Sequence, residues 1–211
     1  GRASDPAYAD SLVHAGLTAI DIPFYGANAE VHESITNTPG SFERTCLGLR
    51  NLQERGVETC VHITLFQSNL HALSDVIALW NTLGPNAGYV QTSGEVGQPG
   101  TYARVAPSPT LVGGAIAQAL RAVRPAFPLS ITDVAPCHIP EHSDLILRWR
   151  GQVVEEESCL VMPYSDWLMT FTGGKARIHG EACRACEVSE TCEGISSEAL
   201  NLFGESELRP L

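Results

Sequence analysis

Apolar, β-branched segments recur roughly every 30 to 40 residues in this chain, near positions 19, 57, 88 and 129, with a helical pattern between most of them. That rhythm constrains the fold most. Antiparallel strands need only a tight turn, whereas parallel strands need a crossover of a dozen or more residues, usually a helix. Such crossovers are right-handed, so successive units build one continuous sheet, curved or doubly wound. The spacing therefore predicts an α/β fold with a parallel sheet.

Residues 19–24, 57–66, 89–91 and 128–134 read as the strands. Asp5-Pro6 opens a helix that stops at Gly16. Ser41 is expected to cap a helix burying Phe42, Cys46, Leu49 and Leu52, which ends at Gly56. Asn69 is expected to cap the next, with Leu73, Val76, Ile77, Trp80 and Leu83 inward and Gly84-Pro85 as its stop. Ser108-Pro109 starts another, with Leu111, Val112, Ile116, Leu120 and Val123 inward. After Pro136 the rhythm breaks. Residues 137–182 read as an irregular or antiparallel appendage with a strand at 145–149, and the tail adds a last helical turn.

The cysteines carry the clearest chemistry. Cys183-x2-Cys186-x5-Cys192 puts three thiols within reach of one centre, and Cys137, directly after Pro136 at the close of the last core strand, supplies a fourth. Four thiolates suit tetrahedral zinc or an iron–sulfur cluster. A zinc ribbon usually pairs two Cys-x2-Cys knuckles, and the second is missing, which tilts the reading toward iron and sulfur. His138 and His142 are alternatives to Cys137. Cys46, Cys60 and Cys159 sit in apolar contexts and read as small buried hydrophobes.

The net charge is −11, from 13 basic and 24 acidic residues. That argues against nucleic acid or an anionic membrane as partner. No apolar run reaches the roughly 18 residues of a membrane span. An odd cysteine count without a secretion signal makes a reducing cytoplasm the expected compartment. The glycine-rich stretch 94–100 has neither the lysine nor the spacing of a phosphate-binding loop, and Glu155-Glu156-Glu157 reads as a solvated acidic turn. Asn69 and His32 are each open to two readings, a local structural role or a side chain facing a ligand.

Several segments, in order, resemble the later part of a radical S-adenosylmethionine (SAM) enzyme. They are Pro23-Phe24-Tyr25-Gly26, then Glu30-Val31-His32-Glu33, then Pro39-Gly40-Ser41-Phe42, then Ile63-Thr64 with Asn69. The cysteine run, Phe203-Gly204 and Glu207-Leu208-Arg209-Pro210 resemble the auxiliary-cluster tail of SPASM/twitch-like members. The resemblance implies the C-terminal part of a partial (β/α)6 barrel over residues 1–136 and an auxiliary-cluster region over 137–211. It implies SAM near Tyr25, Thr64 and Asn69, an auxiliary [4Fe–4S] cluster on Cys137, Cys183, Cys186 and Cys192, and a reductant such as flavodoxin or ferredoxin. The implied substrate is a peptide or small molecule, with peptide modification favoured.

The chain departs from the family at several points. The Cys-x3-Cys-x2-Cys loop of the radical-generating cluster is not in these 211 residues, and Gly1-Arg2 resembles the end of a third-strand segment. The expectation is therefore a C-terminal fragment of a longer enzyme. Pro23 and Tyr25 replace residues usual in the fourth-strand region, and the sixth-strand Pro-x-Gly appears only as Gln98-Pro99-Gly100. The competing expectation is a non-catalytic α/β binding module with a structural cysteine-ligated zinc.

Overall fold

A computed structural model describes residues 1–92, 100–146 and 177–211, together with the backbone of Cys159–Val161 and Leu168–Thr170. The first part alternates α1 (Pro6–His14), β1 (Ala19–Pro23), α2 (Ala29–Thr36), α3 (Ser41–Gln53), β2 (Glu58–Leu65), α4 (Leu73–Leu83), β3 (Ala87–Thr92), α5 (Thr101–Val105), α6 (Pro109–Ala122) and β4 (Leu129–Thr132). The strands form one four-stranded sheet in the order β1-β2-β3-β4, with every pairing parallel. Sequence order equals spatial order, as expected when each crossover helix returns the chain to the neighbouring position.

Alternation along the strands sorts side chains onto two faces. Val61, Ile63 and Leu65 of β2, Val90 of β3 and Ile131 of β4 are buried with Leu49 of α3, Val76, Ile77 and Trp80 of α4, and Val112 and Ile116 of α6. The helices thus cover one face. The other carries Asp21, Cys60, His62, Thr64, Tyr89, Gln91, Ser130 and Thr132. Parallel sheets are usually apolar on both sides, so a polar second face marks where function is to be sought.

The local expectations need four corrections. Ser41 does not cap α3. The cap position is Gly40, the Phe42 amide donates to Glu33 Oε1, and the Ser41 hydroxyl pairs with Thr36. Asn69 does not cap α4, which is entered through a 3-10 turn, Leu70–Ala72, with no side-chain cap. Leu111 is exposed, and the small Gly113 is buried on α6 instead because a backbone segment packs there. α2 and α5 were not expected; α5 is anchored by Gln67, whose amide and side chain donate to Val105 O and Ala106 O.

Beyond β4 the chain makes 3-10 turns at Pro136–His138 and Pro140–Leu145, and Ile146 forms an isolated parallel bridge to Ile131. The expected strand at 145–149 lies otherwise outside the described residues, as do residues 93–99 of the glycine-rich stretch and the acidic turn. β5 (Cys159–Val161) and β6 (Leu168–Thr170) form an antiparallel pair, and β7 (Arg177–Ile178) pairs antiparallel with β8 (Ile195–Ser196). A 3-10 turn at Glu181–Ala185, α7 (Ser197–Phe203) and a final turn at Glu205–Glu207 complete the tail. Among the described residues no helix is long and apolar enough to cross a membrane.

Candidate functional site

The carboxyl ends of the strands are where ligands of open α/β sheets bind, and the last of them is followed by the turn of Cys137, which lies beside three other cysteines. Asn69 organises the strand ends. It is fully buried. Its Oδ1 accepts from Phe66 N at 2.7 Å, and its Nδ2 donates to Tyr25 O at 3.1 Å and Thr64 O at 3.0 Å. Both amide hydrogens are spent on backbone carbonyls, so Asn69 ties the loop after β1 to the end of β2. The structure therefore brings Tyr25, Thr64 and Asn69 together, with Asn69 as the joint.

Thr64 points to the polar face, where Gln91 Nε2 donates to its hydroxyl at 2.8 Å. The half-buried Tyr25 lies against Phe66 and His32, and burial raises its phenol above the ordinary range. His32 is buried among Phe24, Tyr25 and Phe42, and its Nδ1 accepts from Tyr25 N at 3.3 Å. Burial lowers its pKa, against a smaller opposing pull from Glu33. These contacts give His32 the local structural role, fixing the loop that carries Tyr25.

Cys137 lies in the turn just after β4. Gly113 of α6 lets that turn approach, because any side chain there would collide with His138 O. Cys137, Cys183, Cys186 and Cys192 line one pocket with His179, Leu208 and Arg209. Neither His138 nor His142 lines it. His138 Nε2 is committed to Glu207 O at 2.9 Å. His179, which sequence reasoning did not single out, is held by a 2.8 Å bond between its Nε2 and Cys192 O.

Burial raises the pKa of Cys137 and Cys192, and proximity of the thiols to one another adds to the rise. Backbone N–H groups oppose it: Gly194 N donates to Cys192 Sγ at 3.2 Å, and a backbone bond from Arg209 reaches Cys137. Amides aimed at sulfur favour thiolate, and a bound cation would complete that shift. Among the described residues, no three His, Cys, Asp or Glu side chains converge as they would on a single ion. The thiols ring a space instead. Tetrahedral zinc needs sulfurs about 3.8 Å apart, given Zn–S of about 2.3 Å. A cubane spreads its four ligands around separate irons, and a donor set of four thiolates is one that either a cluster or a zinc could take.

Arg177 connects this pocket to the sheet. Its Nη1 donates to Asp133 Oδ1 at 3.0 Å and its Nη2 to Gly194 O at 2.8 Å. Asp133 directly follows β4 and holds a left-handed conformation, φ 62°. Cys60 is buried with its thiol pushed up to about 12, and burial also raises Cys46. Both behave as the apolar residues expected. The Cys159 side chain lies outside the described residues.

No family model matches the chain. Its relatives include the AdoMet-dependent heme synthase of Nitratidesulfovibrio vulgaris, 27% identical over 90 residues, or 43% of this chain and 24% of that protein. The AdoMet-dependent heme synthase of Oleidesulfovibrio alaskensis is 32% identical over 76 residues, 36% of this chain and 20% of its own length. That of Methanosarcina barkeri is 30% identical over 90 residues, 43% and 26% respectively. The matched segment thus spans about a quarter or less of these curated relatives.

Proposed function

We propose that this chain is part of a radical SAM enzyme and that it carries an auxiliary [4Fe–4S] cluster. The observation that carries the class is the likeness to three AdoMet-dependent enzymes. The all-parallel sheet with helices on one face and polar side chains on the other supports reading residues 1–136 as later units of a partial (β/α)6 barrel. The pocket lined by four cysteines supports reading 137–211 as the auxiliary-cluster region, with Cys137, Cys183, Cys186 and Cys192 as ligands.

In this reading SAM, bound in the whole enzyme, would supply radical chemistry: one-electron reduction of its sulfonium would release methionine and leave a 5′-deoxyadenosyl radical able to take a hydrogen atom from substrate. This chain's residues position and enclose. Asn69 holds the loop of Tyr25 against the end of β2, and Thr64 with Gln91 presents hydroxyl and amide at the polar face. Low-potential electrons come from a small carrier such as flavodoxin or ferredoxin, in a cytoplasmic setting. The sequence resemblance favours a peptide substrate. The names of the relatives favour instead a tetrapyrrole on the way to haem, and that substrate is the second reading.

The test is anaerobic purification of the full-length protein containing this chain, followed by reduction with dithionite in the presence of SAM. Formation of 5′-deoxyadenosine is expected, and its suppression or stimulation by a peptide or a tetrapyrrole precursor separates the two substrate classes. A protein that binds stoichiometric zinc and leaves SAM intact contradicts the reading and favours the zinc module.

A further inference from the structure

Asp21, His62 and Tyr89 lie side by side on the polar face, on three adjacent strands; His62 pairs in register with Pro23 on one side and Tyr89 on the other. His62 Nδ1 is 2.8 Å from Asp21 Oδ1, and the Tyr89 hydroxyl donates to Asp21 Oδ2 at 2.5 Å. The imidazole and phenol rings stack, with centroids 4.9 Å apart and planes 14° from parallel. Both carboxylate oxygens are therefore committed. A carboxylate at Nδ1 holds the ring proton there and leaves the lone pair on Nε2.

That Nε2 makes no hydrogen bond among the described residues, and it is not one of the sealed, unpartnered atoms, which are Trp80 Nε1, His142 Nε2 and Arg177 Nε. The side chains of Asp21 and His62 each keep 15% of their surface exposed. No other histidine, and no lysine or arginine, stands on β1 to β4. Holding three polar side chains on a largely buried sheet face costs desolvation that valine or leucine would avoid. Cohesion of the sheet does not call for them.

We infer that His62 is an acid–base residue for a ligand lying on this face, a small organic molecule or substrate side chain that presents an acidic O–H or N–H. The proton passes from the ligand's heteroatom to Nε2, leaving an anionic ligand beside an imidazolium that faces the Asp21 carboxylate. It returns by the same path, and no electron is transferred. Asp21 orients the ring and Tyr89 holds Asp21, so both are positioning residues. Among the described residues, the other titratable groups that act on the array are Cys60 and Tyr25, with Glu58 acting on Cys60. Burial raises Cys60, Tyr25 and Tyr89 above their ordinary values, so none of these three serves as a base for the ligand's proton.

This goes beyond the radical SAM reading and does not depend on it. The probe is diethyl pyrocarbonate, which acylates a free imidazole nitrogen, applied to the full-length protein containing this chain and read residue by residue by mass spectrometry. His62 is expected to react about ten-fold or more faster than buried His32, which must wait for local opening. Nitrogen-15 NMR is expected to find the Nδ1–H tautomer at His62, and Asp21→Ala to release it toward Nε2–H. If Asp21→Ala fails to fold, the reactivity of the unaltered protein still decides. A His62 no more reactive than His32, or one carrying its proton on Nε2, overturns the inference. Neither readout involves iron or SAM, so its failure is separable from failure of the proposed function.

Discussion

Gly113 on α6 lies directly against the carbonyl of His138, so close that a Cβ at Gly113 would overlap that oxygen. A missing side chain on a helix thereby sets the position of the turn that carries Cys137. Gly113→Ala is expected to cost about 1–3 kcal/mol through overpacking and to lower iron content by displacing Cys137. Gly114 is the control, since a Cβ there meets nothing; Gly114→Ala is expected to stabilise α6 by about 0.5–1 kcal/mol. Chemical denaturation and iron analysis of both variants read the comparison. Equal iron in the two would show that Gly113 does not govern the site.

Asn69 satisfies one backbone N–H and two carbonyls with a single buried side chain. Asn69→Ala should cost about 2–4 kcal/mol, because buried polar groups left unpaired cost about 1–3 kcal/mol each and relaxation recovers part of that. Asn69→Asp should be comparably damaging, since it sets a carboxylate against two carbonyl oxygens. Denaturant midpoints check both, and a fully tolerated aspartate would rule out the bonding pattern described.

The loop that carries Tyr25 should be acid-sensitive. Burial holds His32 below the ordinary histidine range, so unfolding takes up a proton in the interval between its folded value and the unfolded value of about 6.5. The stabilisation from keeping this group neutral is complete above the unfolded value and is lost as pH falls through the folded one. His32→Gln cannot titrate and should flatten that acid limb. Denaturation midpoints at about pH 5 and 7 give the slopes, and an unchanged slope would contradict the assignment.

Arg177 spans Asp133 at the end of β4 and Gly194 beside Cys192. Arg177→Lys retains charge but not the fork that reaches both partners. The variant should fold with a small loss of stability and bind iron less completely, with a broadened or shifted electron paramagnetic resonance signal from the reduced auxiliary cluster. A wild-type signal and iron content would mean that Arg177 only neutralises charge.

Much of the sheet was legible because its signals are local. β-branched runs, proline starts and glycine stops gave all four strands and the longer helices between them, but not α2 or α5. Four of the cysteines proved neighbours because a Cys-x2-Cys turn and a thiol after the last strand have few other places to go. What escaped depended on distance along the chain. Asp21, His62 and Tyr89 meet only through strand order; the one available clue was a charged residue flanked by isoleucines in Asp21 and an imidazole between Val61 and Ile63. The caps at Ser41 and Asn69 were misassigned because tertiary partners, Glu33 and the backbone of Tyr25, Thr64 and Phe66, outcompete the local role. Leu111 kept the helical apolar period yet lies outside, because Gly113 occupies the contact with the following turn.

The cysteine pocket is tested most directly by counting iron and acid-labile sulfide in the anaerobically purified full-length protein, with and without the combined substitution of Cys137, Cys183, Cys186 and Cys192 by alanine. Loss of about four irons and about four sulfides per chain in the substituted protein is the predicted result. Unchanged iron, or zinc at one per chain that disappears with the cysteines, would contradict the cluster.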